Sequence, residues 1–255
     1  MQYAGKRLRH ELKYIISTGE YRCLKARLEA AMSADAHTAD GGERVRSLYF
    51  DDVFDSAYHE KASGIEMRKK YRIRIYNESA ALIKLECKQK FGSLTAKESA
   101  TLNMDQYRVL LCGGDCSFLL NAGEMAAGMY GAVKTRLLAP SVITDYLREA
   151  YTCENGNLRV TFDSDVRAGI YETDIFSPGL ITADCLEPGT LILEVKYDDF
   201  LPGYIKKMLQ IPSHRREAVS KFLYCKNTQL ARNPAARGFR FTAGIHQMQI
   251  RETMP

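Results

Sequence analysis

The chain has 255 residues, 45% of them hydrophobic and 26% charged, with 36 Lys and Arg against 31 Asp and Glu for a net charge of +5. That is the balance of a soluble globular protein of one large domain or two small ones. Its apolar runs fall far short of the ~20 residues a membrane-spanning helix needs, which excludes an integral membrane protein, and the stretch Met1–His10 has no apolar core of the kind a secretory signal carries.

The first predicted strand is Arg9–Ile16, with Arg9, Glu11 and Lys13 on one face. Ser17 and Glu20 then have capping-box spacing, and Tyr21, Leu24, Leu28 and Met32 follow at helical period. Asp51-Asp52 after Leu48-Tyr49-Phe50 suits a turn or a metal site, and a short helix is expected from Asp55 to Ala62. In Lys70–Tyr76 the face Lys70, Arg72 and Arg74 opposes Tyr71, Ile73 and Ile75. In Leu82–Lys88 the charged face is Lys84, Glu86 and Lys88, and Lys97 follows in Leu94–Glu98. Met104–Cys112 and Ser117–Met129 read as a helical pair broken at Cys112-Gly113-Gly114-Asp115. Tyr146 and Arg148 come next. Then Arg159, Thr161 and Asp163 oppose Leu158, Val160 and Phe162, with a hairpin turn expected at Asp163-Ser164-Asp165. Thr190, Ile192, Glu194 and Lys196 oppose Leu191, Leu193 and Val195. Short helices are expected from Pro202 to Leu209 and from Arg215 to Tyr224, Pro212 separating them. The boundaries are therefore a domain over 1–225 and a basic tail over 226–255.

Together these faces carry eleven basic side chains (Arg9, Lys13, Lys70, Arg72, Arg74, Lys84, Lys88, Lys97, Arg148, Arg159 and Lys196) against the glutamates Glu11, Glu86 and Glu194 and the single aspartate Asp163. The rest of the chain is left slightly acidic. A half-buried antiparallel sheet explains any one such strand, but solvated faces normally mix polar residue types. If the strands close into a barrel with these faces inward, the lumen is a basic tunnel whose charges repel, an arrangement suited to a multivalent anion such as three or more adjacent phosphates.

Other chemistries find no motif. There is no G-x-x-x-x-G-K-[ST], G-x-G-x-x-G, H-E-x-x-H or G-x-S-x-G. The five histidines have no metal-ligand spacing. The seven cysteines, at positions 23, 87, 112, 116, 153, 185 and 225, are odd in number and irregularly spaced, which predicts free thiols in a reducing, cytoplasmic compartment. Cys112 and Cys116 lack two further zinc ligands. The basic and aromatic residues of Lys69–Tyr76 suit single-stranded nucleic acid, but the acidic remainder argues against such a partner.

In order along the chain, Glu11-Leu12-Lys13-Tyr14, Ser47-Leu48-Tyr49-Phe50-Asp51, Lys70–Tyr76, Glu86-Cys87-Lys88, Tyr146-Leu147-Arg148, Arg159–Asp163, Leu193-Glu194-Val195-Lys196 and Ser220-Lys221-Phe222 resemble the polyphosphate polymerase domain of the vacuolar transporter chaperone (VTC) family. That family belongs to the triphosphate tunnel metalloenzymes. The resemblance spans about residues 8–225. It implies an α+β fold, an eight-stranded antiparallel β-barrel tunnel with a charged lumen and helices packed outside. It implies phosphate contacts from Lys13, Arg72, Arg74, Lys88, Lys97, Arg148, Arg159 and Lys221, with Lys84 and Lys196 on the same charged faces. Tyr146 and Ser220 would add hydrogen bonds. Glu194 would hold Mn2+ or Mg2+, with Glu11 and Glu86 as the other tunnel carboxylates. The family's closing motif often has a second lysine where this chain has Ala218, and Arg215 or Arg216 is the candidate replacement. Eukaryotic relatives sit in complexes with membrane segments; this chain has no such segment, which leaves a membrane protein as a possible partner.

The implied activity is metal-dependent phosphoryl transfer at a triphosphate, most concretely polyphosphate synthesis from ATP. Arg72, Arg74, Lys88 and Arg159 would offset charge on the transferred group. A triphosphatase of the same fold, its water activated near the metal by Glu11 or Glu86, needs the same cage. A sensor of polyphosphate or nucleotide needs the cage without the metal.

Overall fold

The computed structural model describes residues 2–3, 5–210, 215–216 and 219–233. Eight strands form its frame: β1 (Arg9–Ser17), β2 (Glu43–Asp51), β3 (Met67–Tyr76), β4 (Ser79–Phe91), β5 (Leu94–Leu102), β6 (Ala139–Cys153), β7 (Leu158–Gly169) and β8 (Thr190–Tyr197). Each pairs antiparallel with two others, in the cyclic order β7–β8–β1–β5–β4–β3–β2–β6 and back to β7, so the sheet closes into a barrel. The expected α+β barrel is the fold, with the short helices α2 (Ala36–Ala39) and α6 (Gly203–Met208) among those around it.

Period-two alternation decides which way each strand faces. Tyr71, Ile73 and Ile75 of β3 and Ile83, Leu85 and Cys87 of β4 point outward. There they bury against Tyr107 and Leu110 of α4 (Met104–Cys112) and Ala126 and Met129 of α5 (Glu124–Arg136). On the opposite wall Ile16, Tyr151, Phe162, Leu193 and Val195 cover Leu24 and Leu28 of α1 (Thr18–Glu29), which opens with the expected capping box between Ser17 and Glu20. Full burial of each large apolar side chain contributes about 1.5–3 kcal/mol. These external cores leave the inward faces free for polar groups. A third core lies inside one end, where Val45, Tyr146, Val166, Ala168 and Ile192 meet Val219, Phe222 and Cys225 at helix α7 (Lys221–Arg232).

The β1–β5 seam is the shortest, paired only at Arg9–Thr95 and His10–Leu94. Farther along, β1 pairs through Tyr14 and Ile15 with the two-residue strand Arg215–Arg216.

Several boundaries differ from the sequence expectation. The hairpin turn expected at Asp163-Ser164-Asp165 is instead a bulge within β7: the register shifts between Ser164 and Arg167, and Asp165 takes a left-handed backbone (φ 51°) that kinks the strand without reversing it. The second helix of the expected pair is divided. A 3-10 turn covers Ser117–Asn121 and α5 starts at Glu124, because Gly123 at φ 96° cannot continue a helix. The helix expected from Arg215 begins only at Lys221, where Ser220 is extended and its Oγ accepts from Leu223 N at 3.4 Å. It runs on to Arg232, across the boundary drawn at 225. Pro212, Ala218 and most of the expected tail lie outside the described residues.

Candidate functional site

The barrel encloses a cavity of about 450 Å³, whose described lining has eleven cationic side chains and two carboxylates. The carboxylates are Glu11 of β1 and Glu194 of β8. The strands are in register so that Glu194 lies opposite Lys13 and Glu11 opposite Lys196, which interleaves acids and bases on adjacent strands. Lys13 Nζ lies 3.2 Å from Glu11 and 3.4 Å from Glu194. Lys196 and Arg148 reach Glu194 at 3.2 and 3.3 Å, and Lys88 donates to Glu11.

A second layer of carboxylates lies beneath these side chains on the same inward faces. Glu86, fully buried and outside the lining, accepts from Arg72 at 2.7 Å (Nε) and 2.6 Å (Nη2), and from Lys97 at 2.8 Å. Arg72 also donates to Tyr49 OH at 2.7 Å. Arg74 donates to Ser47 Oγ and Tyr146 OH, both at 3.1 Å. Asp163, also fully buried, takes a two-pronged grip from Arg148 (2.6 and 2.8 Å) and pairs with Lys221 at the start of α7. Asp163 and Glu86 thus orient cations that face the lumen.

Of the residues singled out from sequence, Lys13, Arg72, Arg74, Lys88, Tyr146, Arg148, Lys196, Ser220, Lys221, Glu11 and Glu194 line the cavity. Glu86, Lys84, Lys97 and Arg159 do not. Glu86 is on the inward face of β4 but is covered by Arg72 and Lys97. Lys84, opposite Arg74, stacks its ammonium over Tyr76. Lys97 is half-exposed on its bond to Glu86. Arg159, on the inward face at the very start of β7, pairs with Asp35 at 3.2 Å instead. The side chains of Arg215 and Arg216 lie outside the described set.

The cavity also holds Tyr49, Lys61, Arg68, Lys70 and Lys90. Lys70, Arg68 and Lys90 fall in phase with faces already visible in β3 and β4. Lys61 had no such signal, because it arrives from α3 (Ser56–Ala62), a helix outside the barrel. Asp51 and Asp52 are what place it. Asp51 accepts the amides of Ala57 and Tyr58 at 2.8 and 3.0 Å, and Asp52 that of Ser56 at 3.0 Å and Arg136 at 2.7 Å. The two acids are helix caps.

Burial and crowding set the protonation. Burial, followed by the neighbours Arg68, Lys61 and Lys13, pushes the Lys70 ammonium well below its ordinary value. Burial also pushes down Lys88 and Lys196, against the pull of Glu11. Burial with Arg68, Lys13 and Lys90 lowers Lys61 to about 8. Burial opposes ionisation of Glu11, but Lys13, Lys88 and Lys196 hold its carboxyl well below the usual range. Tyr146 resists burial likewise: Arg148 and Arg74 bring its hydroxyl to about 8. The site is short of negative charge.

Among the described residues no three His, Cys, Asp or Glu side chains are grouped to cage a metal. Two carboxylates nevertheless suit a hard divalent ion that takes its other ligands from phosphate oxygens and water. Glu11 fits this in part: its buried Oε1 accepts no hydrogen bond, and the Lys13 ammonium 3.2 Å away is the cation a metal would displace.

A family model for the VTC domain matches residues 8–230. The chain belongs to the VTC domain family. The VTC match reaches into α7, so the helix that carries Ser220 and Lys221 is part of the domain. No curated protein matches this sequence. Among solved structures, a Hippeastrum protein named as a candidate adenylyl cyclase with a dominant triphosphatase activity has a TM-score of 0.53 at 14% identity, over 88% of this chain and 96% of its own. A candidate adenylate cyclase from Bacillus halodurans aligns at a TM-score of 0.46 and 17% identity, over 75% and 81%. The Hippeastrum likeness shows that this VTC domain has the same barrel fold.

Proposed function

We propose that this chain transfers phosphoryl groups on a triphosphate or polyphosphate held in the tunnel, and that it synthesises polyphosphate from ATP. The observation that carries this reading is the lining itself: eleven cations and two carboxylates around one enclosed space, which a chain of phosphates would neutralise. Arg72 and Arg74, braced by Glu86, Tyr49, Ser47 and Tyr146, would hold three linked phosphates in one orientation. Arg148, Lys196 and Lys221 would take the adjoining oxygens. Little covalent chemistry is asked of the protein, because positioning and charge stabilisation carry this reaction. Glu194 and Glu11 would hold Mn2+ or Mg2+, which would supply positive charge to the phosphates. No helix of the described residues is long and apolar enough to cross a membrane.

Hydrolysis of a triphosphate is the second reading, and the Hippeastrum protein's triphosphatase activity favours it. Both need the same grip and differ in whether phosphate or water attacks. Purified protein incubated with ATP and Mn2+ separates them on a polyphosphate-stained gel beside a free-phosphate assay. Long polymer supports synthesis, and orthophosphate without polymer supports hydrolysis. Neither product, with triphosphate still bound, overturns both in favour of a sensor.

A further inference from the structure

We propose that Cys185 and Cys225 form a site of reversible oxidation, joined by a peroxide into a disulfide that fastens α7 to the crossover between β7 and β8. Their sulfurs lie 3.6 Å apart, although the residues are 40 positions apart in sequence. Cys185 follows the short strand Thr182–Asp184, which pairs with the end of β7. Cys225 is fully buried on α7, its sulfur 3.4 Å from the carbonyl oxygen of Arg167 in β7. To bond, the sulfurs must close to ~2.0 Å, a small approach for side chains already in contact.

The two thiols are unequal. Cys185 is half-buried and within reach of solvent, and Cys225 is not. The hydrogen bond with Cys225 draws the Cys185 thiol below its ordinary value, while burial pushes Cys225 up. Cys185 is therefore the group that meets the oxidant. Its thiolate attacks hydrogen peroxide, the O–O bond breaks, and hydroxide leaves to become water on protonation. The Cys225 sulfur then attacks the Cys185 sulfenic sulfur. The S–S bond forms, and the second oxygen departs as water with the Cys225 proton. Two thiols lose two electrons and two protons, and one peroxide becomes two waters.

The bond would act where the cavity is closed. Lys221 and Cys225 are four residues apart and share one face of α7. Lys221 lines the cavity and pairs with Asp163 of β7. A covalent tie at Cys225 therefore fixes the face that presents Lys221, whatever chemistry the tunnel performs.

The test uses the full reduced chain treated with a slight excess of hydrogen peroxide. Peptide mapping after alkylation should show Cys185 linked to Cys225, released by dithiothreitol. Amide hydrogen exchange across 221–232 should slow by about tenfold in the oxidised protein, because opening the helix would carry a cross-linked loop with it. Cys185→Ser, at a half-buried position, should abolish both effects. Oxidation at the exposed Cys23 or Cys112 with Cys185 and Cys225 still alkylatable would overturn the site. A linked pair with unchanged exchange in α7, or slowed exchange in Cys185→Ser, would overturn the fastening.

Discussion

Asp163 receives the ammonium of Lys221, so one fully buried carboxylate of β7 ties the closing helix to the barrel wall. The same carboxylate grips Arg148 through both its oxygens. Asp163→Asn leaves the buried Lys221 without its acid and Arg148 with Glu194 alone, and should cost about 3–5 kcal/mol of stability, the range for breaking a buried pair. Burial alone would raise the Asp163 pKa, but Arg148 and Lys221 hold it far below the usual carboxylate range. With the folded value depressed, its contribution is complete above the unfolded pKa of ~3.9 and fades as pH falls below it. Urea unfolding of both proteins should show a large gap at pH 7 that narrows below about pH 4. A gap independent of pH would show that the charge is not what matters.

Lys61, lowered to about 8 by burial and by Arg68, Lys13 and Lys90, should take up a proton when an anion enters. Binding of inorganic tripolyphosphate near pH 8.5, followed calorimetrically in buffers of different ionisation heat, should show net proton uptake. Lys61→Met should reduce that uptake. In the empty protein the sign is reversed. The unfolded chain binds the proton more tightly than the folded one, so this group makes stability rise with pH between about 8 and 10.4. A melting temperature that falls through this window in wild type relative to Lys61→Met would contradict the assignment.

Arg72→Ala should remove about 2–4 kcal/mol of transition-state stabilisation, a loss of roughly 30- to 1,000-fold in kcat/KM. Arg72→Lys should recover little, because one ammonium cannot span Glu86 and Tyr49 as the guanidinium does. Steady-state turnover of ATP measures both, and full activity in Arg72→Ala would remove this residue from the machinery.

Glu194→Gln should separate metal binding from anion binding. Turnover should fall at low Mn2+ and return in part as the metal is raised. Metal-free tripolyphosphate should bind at least as tightly as to wild type, since a repelling charge has left the cavity. Equal loss of both would mean that Glu194 only braces Lys13, Arg148 and Lys196.

The barrel was legible because strand alternation is a local signal. Lys70, Arg72 and Arg74 announce one face and Tyr71, Ile73 and Ile75 the other without knowledge of the partner strand. Residues delivered by other means were not legible. Lys61 comes from a helix whose place depends on two capping aspartates of β2 and the turn after it. Glu86 and Arg159 sit on the right faces, yet Glu86 is covered by the cations it binds and Arg159 lies at the start of β7 beside Asp35, and alternation carries no information on either. The bulge in β7 is a backbone event at Asp165, a residue type equally at home in a turn. The start of α7 was misplaced because Arg215 and Arg216 pair with β1, a contact between segments about 200 residues apart.

The pairing of β1 with β8 also sets a timetable for synthesis. The N-terminal strand finds its longest neighbour only at Thr190–Tyr197, and its other barrel partner, β5, offers two residue pairs. At a ribosomal rate of about 5–20 residues per second, β1 waits roughly 10–40 s for that partner. Until then Leu12, Tyr14 and Ile16 have no β8 to cover them and are open to chaperones. The ring therefore shuts after nearly the whole domain has been translated, and a nascent chain stalled before β8 would have a cationic sheet with one side open.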